Sequence, residues 1–338
     1  MNALVCTEPG NFEYTEMAEP PMKSGHAIVR IRNIGICGTD LHAFEGTQPF
    51  FHYPRILGHE LSGELMDFNG APGFQRGEAV TFLPYLNCGD CIACRAGKTN
   101  CCINLRVCGV HIDGGMVDYY SIPSRHLVHS NGLHLEELAM VEAMAIGAHG
   151  IRRADVQPGE FVLVIGAGPI GLATMEFAKL KGAEIIAMDI NPFRLEFCKN
   201  MLGISNIINA GNTDIIEQLS DITHGNMPTV VIEASGNRKA IQSGLNYLAH
   251  GGRYILIGLQ KEEIMFSHPE FHKKESTLMS SRNATRDDFE YVIQNMVNRK
   301  ISPTSFITNR VKFKDVAAGF SDWLVPANHV IKVVVEKE

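Results

Sequence analysis

The apolar run Val162-Leu163-Val164-Ile165 stops at Gly166-Ala167-Gly168-Pro169-Ile170-Gly171 and passes directly into a helical pattern. No other stretch restricts the possible folds as strongly. Ile170, Ala173, Thr174, Phe177 and Ala178 recur at helical spacing until Gly182 offers a stop. A β-branched run, a Gly-x-Gly-x-x-Gly turn and a helix predict a buried parallel strand feeding a helix N-terminus, whose free N–H groups suit a pyrophosphate. Gly166 permits the turn, Gly168 lets phosphates approach the backbone, and Gly171 lets helix and strand pack closely. Pro169 and Ile170 open the helix between them. A second run, Glu184–Asp189, ends in an acid about 20 residues on, where a ribose-binding carboxylate belongs. A glycine-rich turn in some other α/β protein would leave Asp189 unexplained. Asp189 would repel a 2′-phosphate, so NAD is expected over NADP, with Arg194 blunting the preference.

The pattern around this loop alternates strand and helix. Asn191-Pro192 places Asn at an N-cap and Pro at the first helical position, and Gly203 ends that helix. Thr229–Ala234 and Arg253–Gly258 read as two more apolar strands, with a helix beginning after Asn237. Five or six such strands with crossover helices predict a doubly wound parallel sheet. Thr285 with Asp288 opens a later helix, with Phe289, Val292, Ile293, Met296 and Val297 as its apolar stripe. Up to about residue 130 the chain reads differently, as short strands and turns of barrel type.

At 338 residues two domains are expected: residues 1–149 with 285–338, and residues 150–284. The formal net charge of -7 argues against a nucleic-acid surface. No apolar run is long enough for a membrane span, and the start lacks a basic segment followed by an apolar one. A small-molecule enzyme of the cytoplasm is the expectation. The nine cysteines cluster, which favours metal over disulfides.

Cys88, Cys91 and Cys94, followed by Cys102, form a C-x2-C-x2-C-x7-C loop. Four thiolates around one tetrahedral zinc leave no open position, so this reads as a structural site. Cys101 competes with Cys102 for the fourth place, and Cys102 is chosen. A zinc-ribbon nucleic-acid module fits poorly with an acidic chain. Cys37, in Gly35–His42, and His59, in Gly58-His59-Glu60, are also of zinc-binding type. Glu142 is the only charge in the run Ala139–His149, and a buried carboxylate wants a cation. A surface glutamate on a half-buried helix is the alternative.

Taken together, Gly35–His42, Gly58-His59-Glu60, the cysteine loop, and Gly166–Gly171 followed by Asp189 resemble the zinc-dependent medium-chain dehydrogenases/reductases, the family of the alcohol and polyol dehydrogenases. The resemblance covers nearly the whole chain. It implies a β-rich GroES-like barrel as catalytic domain and a doubly wound Rossmann domain for NAD. It implies a catalytic zinc on Cys37, His59 and Glu142 with one position open. Thr39 would accept the alcohol proton, His42 would relay it to solvent, and Asp40 would orient His59. Glu60 would coordinate zinc intermittently or orient a ligand, with a structural ion pair as its alternative. Two departures stand out: Ala143 where the polyol branch often has Pro, and Asn69 with Gly70 after it, read as a shifted turn. Dimers or tetramers are expected from the resemblance, with Arg253–Gly258 as a strand able to pair edge to edge.

The substrate reading rests on two stretches. Gly46–His52 mixes hydrogen-bonding groups, Gln48 and His52 among them, with aromatics, which suits a hydroxylated chain. Phe271–Glu275 and Ser281–Thr285 concentrate positive charge and resemble the corresponding stretch of bacterial sugar-acid dehydrogenases, especially those for L-galactonate. Arg282 would clamp a carboxylate, unless it sits on a solvated face or touches the cofactor. The alternatives are a dehydrogenase for simple alcohols or threonine, and a non-catalytic dinucleotide-binding protein on the same fold.

Overall fold

The structure, a computed structural model, describes residues 1–68 and 73–338, so the turn read at Asn69 and Gly70 lies outside the described residues. The chain packs as two units, Met1–Ala143 with Ala284–Glu338, and Met144–Asn283. No helix among the described residues is long and apolar enough to cross a membrane.

The first unit is built on one long strand, His26–Ile36. Its Ala27, Val29 and Ile31 alternate inward and are fully or almost fully buried, as a half-buried strand demands. Glu60–Phe68, Tyr119–Pro123 and Lys332–Glu336 all pair antiparallel with it. Register shifts after Ile28 and Ile31 accompany the pairing with Glu60–Phe68, and bulges of this kind bend a strand toward barrel curvature. Ala79–Phe82, Leu127–His129 and Ile307–Lys312 complete a seven-stranded sheet. Gly35 stands opposite Glu60, and any side chain there would collide with the Glu60 carboxylate. The strand-and-turn reading of this half missed the single helical turn Ile92–Arg95 and the helix Gly38–Glu45. Phe44 anchors that helix, stacking on Phe12 at 5.2 Å and lying 5.1 Å from Phe320.

His126, buried in a turn of the first unit, is held down at about 4 by burial and by the cationic Arg125 and Arg286. Unfolded, it would titrate near 6.5. A depressed histidine is neutral in the folded state and takes its proton first when unfolded. Stability from this residue is therefore intact above about 6.5 and falls as pH drops toward 4. Between pH 7 and pH 5, His126→Gln should reduce the stability loss by on the order of 2 kcal/mol, read from urea midpoints of both proteins. Equal losses in both would refute it.

The second unit is a six-stranded parallel sheet in the order Asn206–Asn209, Glu184–Asp189, Phe161–Ile165, Val230–Glu233, Arg253–Leu256, Thr277–Ser280. Val162, Leu163 and Val164 have no exposed surface, as expected where crossovers cover both faces of a sheet. Asn191 caps the helix Pro192–Leu202 by accepting from Phe193 N at 3.0 Å, and Gly203 closes it in the left-handed region. Two expectations need correction. Arg253–Leu256 is bonded on both sides, so it is no edge; the edge beyond it is Thr277–Ser280. In the first unit, the helix Arg286–Val297 buries Phe289, Val292, Ile293 and Met296, whereas Val297 is exposed at its last turn.

Candidate active site

Cys37 stands where the strand His26–Ile36 ends, as N-cap of the helix Gly38–Glu45. Asp40, one turn into the helix, accepts from Cys37 N at 2.9 Å and, with its other oxygen, from Gly58 N at 3.1 Å. One buried carboxylate thus fixes the backbone on both sides of Cys37 and His59. Ligand atoms of Cys37, His59 and Glu60 all lie within 4.8 Å of one another. Asp40 Oδ1 is 3.6 Å from His59 Nδ1, too far for a hydrogen bond, and that buried nitrogen has no hydrogen-bond partner.

Glu142 is not in that trio. It is buried in the first turn of the helix Val141–Ala154 and accepts a hydrogen bond from the Tyr85 hydroxyl. Burial raises the Glu142 carboxyl to about 7; His59 opposes the shift and Glu60 adds to it. Lys332 Nζ pairs with Glu60 and donates to Ile36 O at 3.1 Å. Burial lowers the Lys332 ammonium, but Glu60 and Cys37 outweigh it and raise it. His59 behaves alike: burial works downward, while Asp40 and Cys37 carry it well above the ordinary value. Three buried carboxylates, Asp40, Glu60 and Glu142, and a thiol here gather around two buried cationic groups, Lys332 and His59. Such a set needs further positive charge, and the mixture of S, N and O donors is the chemistry of a zinc site.

The second thiol cluster is of another kind. Cys88, Cys91, Cys94 and Cys102 group within 4.8 Å, with Cys88 and Cys102 sulfurs 3.4 Å apart; Cys101 lies outside the group. Backbone N–H groups of Cys94 and Ile103 pull the Cys91 thiol down to about 6, and those of Asp90 and Cys91 lower Cys88. Burial raises Cys102 to about 11. A cradle of backbone donors around thiolates, with no carboxylate or imidazole among the four, suits a closed structural zinc.

In the second unit Gly166 has a φ of 100°, and a side chain there would lie 2.8 Å from Ser235 N. A side chain on Gly171 would collide with the Gly166 carbonyl. Gly168 caps the helix Pro169–Leu180, with Pro169 and Ile170 as its first two residues. Asp189, at the end of the neighbouring strand, accepts from Ala167 N at 2.6 Å and Asn191 N at 2.8 Å. It therefore clamps the glycine loop. Arg194 Nη1 is 3.9 Å from Asp189 and sits beside Gly168.

A family model for the alcohol dehydrogenase GroES-like domain matches residues 23–132, and one for zinc-binding dehydrogenases matches residues 169–298. The chain is 39% identical over 336 residues to the L-galactonate-5-dehydrogenase of Escherichia coli K12, covering 99% of this chain and 98% of that protein. The chain belongs to the zinc-type medium-chain dehydrogenases. Sorbitol dehydrogenase of Halalkalibacterium halodurans is 32% identical, with 91% of this chain and 92% of that protein covered. The crystal structure of the alcohol dehydrogenase rspB of Escherichia coli CFT073, complexed with NADH, matches with a TM-score of 0.93 at 29% identity, covering 100% of this chain and 99% of that one. This dehydrogenase is accordingly an oxidoreductase acting on a small molecule.

The remaining residues of this dehydrogenase are placed as follows. Thr39 and His42 are three apart on one short helix and so share a face. His42 is exposed, with Nδ1 at 3.3 Å from Glu45 and 3.2 Å from the Thr47 hydroxyl. Gln48 accepts from Phe50 N at 3.3 Å, and His52 is exposed in the same loop. Arg282 is exposed in the second unit, just past the strand Thr277–Ser280. Lys332 and Tyr85 are absent from the sequence reading of the site. Lys332 is the only charge between Val330 and Val335, the same signal that singled out Glu142. Tyr85 carried none, because a tyrosine in a short strand reads as ordinary core.

Proposed function

We propose that this dehydrogenase oxidises a secondary hydroxyl of a sugar acid, an L-galactonate-like one foremost, or of a related polyol, with NAD⁺ as acceptor. The observation that carries the reading is the donor set Cys37, His59 and Glu60 within 4.8 Å, with Glu142 buried nearby. Cys37, His59 and Glu60 would hold a catalytic zinc, with Glu60 also paired to Lys332. Glu142, kept in place by Tyr85, would stand beside that zinc as a further ligand or as a proton-holding group. Zinc supplies Lewis-acid polarisation of a substrate hydroxyl, and NAD⁺ supplies the hydride acceptor. Thr39 would accept the hydroxyl proton while releasing its own, and His42, on the same helix face, would pass a proton on to solvent. Gly166, Gly168, Pro169, Ile170 and Gly171 hold the pyrophosphate and Asp189 the ribose; Cys88, Cys91, Cys94 and Cys102 hold a structural zinc. We assign the protein to the reducing cytoplasm, where clustered thiols serve metal rather than disulfides.

Gln48 and His52 are assigned to the substrate hydroxyls and Arg282 to its carboxylate. A panel of aldonates, polyols, simple alcohols and threonine, run in parallel with NAD⁺ and NADP⁺, tests the reading. An aldonate with NAD⁺ should give the highest kcat/KM, and Arg282→Ala should cut it by about tenfold or more while sparing the neutral polyol. Equal losses on both substrates would remove Arg282 from the substrate site, and a preference for simple alcohols or NADP⁺ would overturn the assignment. Self-association is proposed through the edge strand Thr277–Ser280, pairing antiparallel across a two-fold axis to make a dimer or the core of a tetramer. Light scattering at micromolar concentration should then give at least twice the chain mass of 37.2 kDa; a monomer would refute it.

A further inference from the structure

Outside the residues given roles above, the first unit holds a cavity of about 210 Å³ at the foot of the cysteine loop. Asn87 and Thr99 line it from the loop side, Arg125 and His126 from the turn before Leu127–His129, and Arg286 from the first position of the helix Arg286–Val297. Arg125 Nη2 donates to Asn87 O at 2.9 Å and its Nε to His126 Nε2 at 3.4 Å; Arg286 Nη2 donates to Arg125 O. Arg286 Nη1 lies 3.7 Å from Glu290 Oε1, one turn along the same helix.

Two guanidiniums thus converge on one cavity in a chain whose net charge is -7, with Asp287, Asp288 and the exposed Glu290 on the helix that carries Arg286. Each guanidinium has five N–H donors, and the contacts just named leave several of them available. Thr285 and Asp288 form the capping box of this helix, and Asp287 and Asp288 in its first turn offset the positive charge of its N-terminus, so the attraction for an anion rests on the arginines. His126 stays neutral, because burial and the two arginines hold it at about 4, and its Nε2 accepts from Arg125. Both guanidiniums reach solvent at the cavity, and an oxyanion there would bridge them while taking two parallel hydrogen bonds from one of them.

We infer that this cavity binds a phosphate-type oxyanion, as the free ion or as the phosphate group of a small metabolite. The bound anion links the foot of the cysteine loop to the helix Arg286–Val297.

The test uses the intact zinc-loaded protein at constant ionic strength. Thermal unfolding is followed while inorganic phosphate replaces chloride, and in a second arm while glycerol 3-phosphate replaces it. Saturable stabilisation is expected with at least one of them; the tighter of the two names the source, and equal affinity names the phosphate group itself as the recognised unit. Arg286→Gln should weaken the apparent Kd by about tenfold or more. Glu290→Gln, which removes the competing carboxylate, should tighten it, an effect that a merely structural role of the arginines would not produce. A response indistinguishable from chloride would overturn the inference. So would an apparent Kd unchanged in Glu290→Gln together with one unchanged in Arg286→Gln, or the former alone should Arg286→Gln not fold.

Discussion

Cys37→Ala is expected to abolish turnover, by at least about a thousandfold, while the protein still unfolds cooperatively. The side chain removed is one of three donors within 4.8 Å, so the catalytic metal should be lost with it. The backbone it leaves behind is held independently. Cys37 N still donates to Asp40, and Phe44 still anchors the helix that Cys37 caps. Metal analysis separates the two thiol sites, with about two zincs per chain expected in the parent and about one in the variant. Full turnover in Cys37→Ala after chelation, or loss of both zincs with an intact fold, would defeat the assignment.

Lys332→Met should destabilise the protein by about 3–5 kcal/mol, the range for removing one partner of a buried ion pair. Lys332 and Glu60 are both buried, and the lysine also donates to Ile36 O, one residue before Cys37. Taking it away leaves Glu60 with no cation among its described partners beyond any metal, and leaves a backbone carbonyl short of a donor. Adding Glu60→Gln should recover part of the loss, since the amide needs no counter-charge, and a double-mutant cycle measures the coupling. Denaturant midpoints of parent, both single variants and the double variant give the four corners. A Lys332→Met protein as stable as the parent, or strictly additive changes, would show that the pair contributes nothing.

Much of the site was legible because its residues are close in sequence. The glycine loop, the four-cysteine loop, Gly35–His42 and Gly58-His59-Glu60 are short segments in which spacing alone limits the chemistry. Helix ends were legible for the same reason: the Asn191 cap, the Gly203 stop and the Thr285–Asp288 box are local hydrogen-bonding decisions made by neighbouring residues. Local pattern failed where the outcome depended on distant partners. Arg253–Leu256 has the composition of a strand at either the edge or the interior, and only the presence of Thr277–Ser280 beside it makes it interior. Val297 continues an apolar stripe in sequence, yet the helix stops there and the side chain meets solvent.

What the sequence by itself offered is a set of candidate donors in short segments and the type of most segments, because backbone propensity, capping and ligand spacing act over a few residues. Which donors meet, and at what charge, was decided by the tertiary structure. The antiparallel pairings put Gly35 opposite Glu60 and Ile36 opposite Val333, and so carry Lys332 to a carboxylate 272 positions away. The same packing closes Glu142 against Tyr85 and gathers Asp40, Glu60 and Glu142 out of water. Burial is a property of the whole fold, and it is burial that turns these scattered carboxylates into a site needing a cation.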